Sequence, residues 1–141
     1  MPSQTVFQSQ VGLAGFDLPT REAQPGQTVA VTLWWTARGP VSENLRAFVH
    51  FIGPDGQLWA NSDKFHPGDF GDFPTSRWPT GYRLRDAHQA TLSPQAPPGA
   101  YRVEAGLWNE FSGQRMAVLN DGGEPTTLDA VVLTDHFQVG P

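Results

Sequence analysis

The sequence predicts an all-β protein, an antiparallel sandwich of about seven to nine strands, and three observations carry that prediction. Apolar residues alternate with a period of two in several short segments, which turns one face of each segment toward a core. No segment shows a helical period. Fifteen Gly and thirteen Pro in 141 residues cut the chain into short pieces, as turns between strands require.

Each element follows from its own residues. Residues 1–9 are polar and read as a disordered or extended lead-in, which leaves 10–141 as one sandwich domain. A first strand spans 11–18 and is interrupted by glycines. Pro25-Gly26 then makes a turn in which Gly permits positive φ. In TVAVTLWWTA, residues 28–37, Val29, Val31, Leu33 and Trp35 share one face, while Ala30, Thr32, Trp34 and Thr36 share the other. Residues 45–53 set Leu45, Ala47, Val49 and Phe51 against Arg46, Phe48, His50 and Ile52. Two largely apolar faces mark a central strand or one covered on both sides.

Gly53-Pro54-Asp55-Gly56 is a hairpin signal, and residues 57–65 return from it. A long connection, DKFHPGDFGDFPTSRWPTG, occupies 63–81 and crowds Phe65, Phe70, Phe73 and Trp78 among prolines, glycines and aspartates. Another strand covers 82–92. Residues 100–109 turn Tyr101, Val103, Ala105 and Leu107 inward, 115–119 complete a second hairpin, and 128–139 form the last strand. Tyr101 stands just after a Pro98-Gly99 corner, where the immunoglobulin-like and fibronectin III-like sandwiches bury a tyrosine and bond its hydroxyl to nearby backbone. The sandwich is therefore expected to be of that kind.

Composition narrows the functions worth testing. A net charge of −5 and a pI near 5.1 argue against nucleic acid and against an anionic membrane surface. The absence of cysteine excludes disulfides, thiolate metal sites and a cysteine nucleophile. The N-terminus lacks the basic and apolar regions of a signal peptide. No apolar run approaches the ~20 residues that span a bilayer, so the chain is expected not to insert into a membrane by itself.

Catalytic chemistry finds no motif. A serine hydrolase elbow, a P-loop, a dinucleotide fingerprint, an HExxH pair and an EF-hand loop are all missing. Asp63, Asp69 and Asp72 are the candidates for a structural cation, but aspartates in a glycine-rich loop more often cap turns, and no metal or other cofactor is expected. No catalytic residue is assigned. An enzyme reading would need a cleft holding two facing carboxylates or a His–Asp pair.

The series Pro25-Gly26 with the following Trp34-Trp35, FVHFIGPDG, Asp63, PTSRWPTG and PPGAYRVEAGLWNEFSGQR carries a resemblance over residues 11–139. It resembles a β-sandwich domain at the C-terminal ends of bacterial multi-span membrane glycosyltransferases of the mannosyltransferase-like class. That resemblance implies an extracytoplasmic, non-catalytic accessory domain. Its partners would be a glycan or another surface polymer, or the parent membrane enzyme. The alternative is a structural module that docks on that enzyme or forms a homo-oligomer, with an exposed apolar patch near Trp34 or Phe48.

Aromatic rings beside carboxylates suit sugars, whose C–H faces stack on planar rings while polar groups hold the hydroxyls. The candidate ligand-binding residues are therefore Trp59, Asp69, Phe70, Asp72, Phe73, Trp78 and Trp108. Within the long connection, Phe65 and Trp78 are expected to be buried anchors, and Phe70 and Phe73 to face a partner.

Overall fold

The computed structural model describes residues 5–64 and 74–141. Nine strands form among the described residues: β1 (Thr5–Phe7), β2 (Val11–Asp17), β3 (Glu22–Ala23), β4 (Thr28–Ala37), β5 (Leu45–Ile52), β6 (Leu58–Lys64), β7 (Arg83–Thr91), β8 (Gly99–Asn109) and β9 (Val131–Val139). They pair into a four-stranded sheet of order β1-β2-β4-β7 and a five-stranded sheet of order β3-β9-β8-β5-β6. The all-β sandwich expected from the alternation is what forms.

The inward faces are those the period of two assigns. Val29, Val31, Leu33 and Trp35 of β4 pack against Val49 and Phe51 of β5 and Tyr101, Val103, Ala105 and Leu107 of β8 in one continuous core. Phe51 meets Phe137 of β9 edge to face at 5.2 Å, a favoured aromatic geometry. The corner tyrosine is fully buried, and its hydroxyl donates to the Pro97 carbonyl at 2.6 Å.

Three parts of the sequence reading change. Thr5–Phe7, set apart by the polarity of its surroundings, pairs with β2, because Phe7 is fully buried edge-on to Trp35. The sandwich is not wholly antiparallel: β3 runs parallel to β9, held by hydrogen bonds from Gln138 N to Arg21 O and from Gly140 N to Ala23 O. Residues 115–119 form single bridges instead of a strand. They divide their backbone bonds between Leu107 at the end of β8 and Val6 and Gln8 beside β1, so no ladder propagates.

The PTSRWPTG half of the long connection is an anchor for β5. The Thr75 hydroxyl, fully buried, donates to Glu43 O at 2.6 Å and accepts from Leu45 N at 2.9 Å, fixing the start of that strand. A 3-10 turn at Thr75–Arg77 then delivers Trp78 into the core, 3% exposed and 5.8 Å from the Tyr82 ring. Phe65, Asp69, Phe70, Asp72 and Phe73 lie outside the described residues.

Candidate functional site

The outer face of the five-stranded sheet carries the arrangement with most chemistry. Alternation on β5 and β8 that turns Val49 and Leu107 inward must turn Arg46, Phe48 and His50, with Glu104, Gly106 and Trp108, outward. Register then sets who meets whom. Arg46 pairs with Trp108, Phe48 with Gly106 and His50 with Glu104. Past the tight turn after β8, Arg115 bridges back to Trp108 from the opposite side. Trp108 is thus flanked across the sheet by two arginines.

Gly106 makes the second layer possible. A Cβ there would lie 2.5 Å from Cζ of Phe48 and 3.1 Å from the Asp129 carbonyl, so only glycine lets the Phe48 ring lie flat over β8. The Arg115 guanidinium covers that ring at 4.4 Å, which leaves Phe48 1% exposed although it points away from the core. On the other flank the Arg46 guanidinium lies 5.0 Å from the Trp108 ring centroid. Cation–π contacts of this kind hold both cations in place against the electron-rich aromatic faces. Phe48, His50, Trp108, Gly113 and Arg115 enclose an open cleft of about 190 Å³.

The turn that walls this cleft is rigid. Asn109 Oδ1 accepts from both Phe111 N and Ser112 N, and Gly113 N bonds Asn109 O. Its tip presents Phe111 at 83% exposure, far outside the usual range for a phenylalanine. Further back along β8, opposite His50, Glu104 is held by Arg102 at 2.8 Å.

The other candidates sit elsewhere. Trp59 lies on the β5–β6 hairpin, where its indole N–H donates to Asp55 at 3.0 Å and its ring covers Gly53. That hydrogen bond is the main reason the Asp55 carboxyl is held below its ordinary value. Trp78 belongs to the core, at the far end of the long connection. Among the described members of the candidate set (Trp59, Trp78 and Trp108), Trp108 lines the cleft; its neighbours Arg46, Phe48, His50 and Arg115 went unassigned. The signal available was the outward parity of β5, where alternation alone groups Arg46, Phe48 and His50 on one face.

A His–Asp pair does exist, between the two sheets. Asp86 and His88 point inward from β7, and His88 Nε2 bonds Asp86 Oδ2 at 2.7 Å. Trp35 Nε1 donates to the same oxygen at 2.9 Å, and Ser62 of β6 reaches His88 Nδ1 at 2.7 Å. A carboxylate only accepts, so His88 carries a proton on Nε2. Both side chains are completely enclosed. With no room for a substrate carbonyl beside them, these residues act as a polar clasp joining β7 of one sheet to β6 of the other. Among the described residues no group of His, Asp and Glu is placed to hold a metal ion.

An apolar groove of about 470 Å³ between β9 and the segment before it is lined by Val118, Leu128, Val131 and Val132, with Leu128 60% exposed. Trp34, on the outer face of the four-stranded sheet, is half-buried.

No family model matches the chain, and no curated protein matches it. Among solved structures it is similar to the crystal structure of the C-terminal domain of wzt, with a TM-score of 0.60 and 10% identity over 100% of this chain and 80% of that one. At that identity the likeness shows the fold: this chain is a β-sandwich of the architecture that wzt carries as its C-terminal domain.

Proposed function

We propose that this domain is a non-catalytic carbohydrate-binding module that serves a larger extracytoplasmic or membrane-bound enzyme, in keeping with its sequence resemblance to the appended domains of membrane glycosyltransferases. The observation that carries the reading is Trp108, a half-buried indole flanked by Arg46 and Arg115 and bordering an open cleft on a rigid sheet face. An indole presents a planar C–H acceptor for a sugar ring, and arginine N–H groups around it supply donors for hydroxyl and ring oxygens. A cleft of about 190 Å³ is smaller than the ~300–1,000 Å³ of enclosed small-molecule sites. It suits one sugar unit of a polymer held at a surface. The neighbour in fold is itself a C-terminal domain, which is consistent with a module appended to another protein.

The test is a titration of the domain with neutral and acidic oligosaccharides, followed by the tryptophan indole N–H signals in NMR. The Trp108 resonance shifts on binding, and Trp108→Ala weakens binding at least about tenfold, as loss of a central aromatic anchor does elsewhere. The reading fails if no oligosaccharide moves the Trp108 signal.

A further inference from the structure

Arg115 has the geometry of an anion receptor. Its guanidinium plane is fixed over the Phe48 ring at 4.4 Å. Its two terminal nitrogens reach only long contacts: Nη1 to Asp129 Oδ1 at 3.4 Å and Nη2 to His50 Nδ1 at 3.4 Å. Charge-assisted bonds from arginine to an oxyanion settle near 2.7–2.9 Å, so neither nitrogen has its best partner in the free protein. The Asp129 side chain is 56% exposed and loses little on being released to water. Because arginine only donates, His50 Nδ1 accepts in that contact, which orients the imidazole beside the guanidinium.

The lining adds a second argument. The chain as a whole carries −5, yet Phe48, His50, Trp108, Gly113 and Arg115 include a permanent cation and an imidazole and no carboxylate. Arg46 adds another guanidinium on the far flank of Trp108. A planar fork lining a cleft that also offers an indole matches a ligand with a planar or tetrahedral oxyanion attached to a sugar ring. A neutral sugar would accept single N–H bonds from that fork but would bring no charge to match it.

We propose that the cleft selects an acidic sugar, whose carboxylate or phosphate takes the paired nitrogens of Arg115 while its ring lies against Trp108. This rests on the carbohydrate-binding reading and sharpens it. Binding displaces Asp129 from Nη1, shortens the Arg115 contacts, and leaves the Phe48 support unchanged.

The experiment compares four probes on the intact domain by NMR and isothermal titration: an oligogalacturonide, glucose 6-phosphate, a neutral maltooligosaccharide and inorganic phosphate. The acidic sugars are expected to bind at least about tenfold tighter than the neutral one, the scale of one charge-assisted hydrogen bond. Their affinity falls several-fold between about 50 mM and 500 mM salt, as screening shortens the reach of the guanidinium charge. Arg115→Gln removes that advantage, weakening the acidic sugars several-fold more than it weakens the neutral one, and Arg115→Lys restores it only in part, as a point charge without the fork. Unfolding midpoints of both variants confirm that they fold.

Equal affinity for neutral and acidic sugars, unaffected by salt or by Arg115→Gln, overturns the acidic-sugar proposal and leaves carbohydrate binding standing. Inorganic phosphate binding as tightly as glucose 6-phosphate overturns the sugar part of the proposal. No binding of any oligosaccharide removes both. A preference for the oligogalacturonide or for the sugar phosphate supports the proposal and tells which oxyanion the fork accepts.

Discussion

Replacing Asp86 with alanine strips the buried clasp of its shared acceptor. In the native protein one carboxylate oxygen takes the Trp35 indole N–H at 2.9 Å and the His88 Nε2–H at 2.7 Å, and Asp86 and His88 are enclosed completely. Trp35 is also 0% exposed, so water cannot replace the lost acceptor for it. Leaving a buried donor unsatisfied costs about 1–3 kcal/mol, so the two donors together cost about 2–6 kcal/mol. That is a large part of the ~5–15 kcal/mol by which a domain is stable.

Ser62→Ala provides the internal comparison. Ser62 is half-buried, and water can stand in for its hydroxyl at His88 Nδ1, so the loss is about 0.5–1.5 kcal/mol. Urea unfolding followed by tryptophan fluorescence and by circular dichroism measures both. With a slope of about 1–3 kcal/mol per molar urea, Asp86→Ala moves the midpoint down by roughly 1–3 M. An Asp86→Ala midpoint within about 0.3 M of the wild type, or a larger effect for Ser62→Ala, refutes the clasp as an element that holds the sheets together.

Two further outcomes follow from particular contacts. Gly106→Ala forces a Cβ to within 2.5 Å of the Phe48 ring, so the ring and the Arg115 above it must move. The variant loses about 1–3 kcal/mol, as overpacking does, and loses the Arg115–Phe48 nuclear Overhauser contacts; their survival at unchanged stability shows that the layer does not depend on this glycine. Tyr101→Phe removes the bond to Pro97 O and costs about 1 kcal/mol near neutral pH. Burial raises the Tyr101 phenol above its ordinary value, so the folded state keeps a proton that the unfolded chain sheds. Native stability is therefore flat in this respect below roughly pH 10 and falls above it, and Tyr101→Phe is expected to lessen that alkaline slope in unfolding curves recorded from about pH 8 to 11.

The strands were legible because period-two alternation is a local property. In β4 the inward set Val29, Val31, Leu33 and Trp35 is complete in ten residues, and its bounds coincide with those of the strand. Tyr101 was legible for a similar reason, since a Pro-Gly corner and the tyrosine that caps it are neighbours in sequence. β1 and β3 were not legible, because three and two residues carry no period and their pairing is set by distant partners in β2 and β9.

The site divides along the same line. Trp108 could be named from its outward parity, and Phe48 and His50 could be placed on one face of β5. That Arg115 would stand over Phe48 was invisible, because it depends on the path of the segment after β8 and on the space that Gly106 leaves. The clasp shows the same limit from inside the core. Asp86 and His88 fall at inward positions of β7. Their partners, Trp35 and Ser62, are 51 and 26 residues away from them.

By itself the sequence determined the all-β class, the positions of the longer strands and their inward faces, because each depends on residues one or two apart along the chain. Only the tertiary structure decided which side chains share the cleft on the five-stranded sheet and which close the polar clasp. Both are contacts between strands, and the register that creates them is fixed by packing across the sandwich and not by any local pattern.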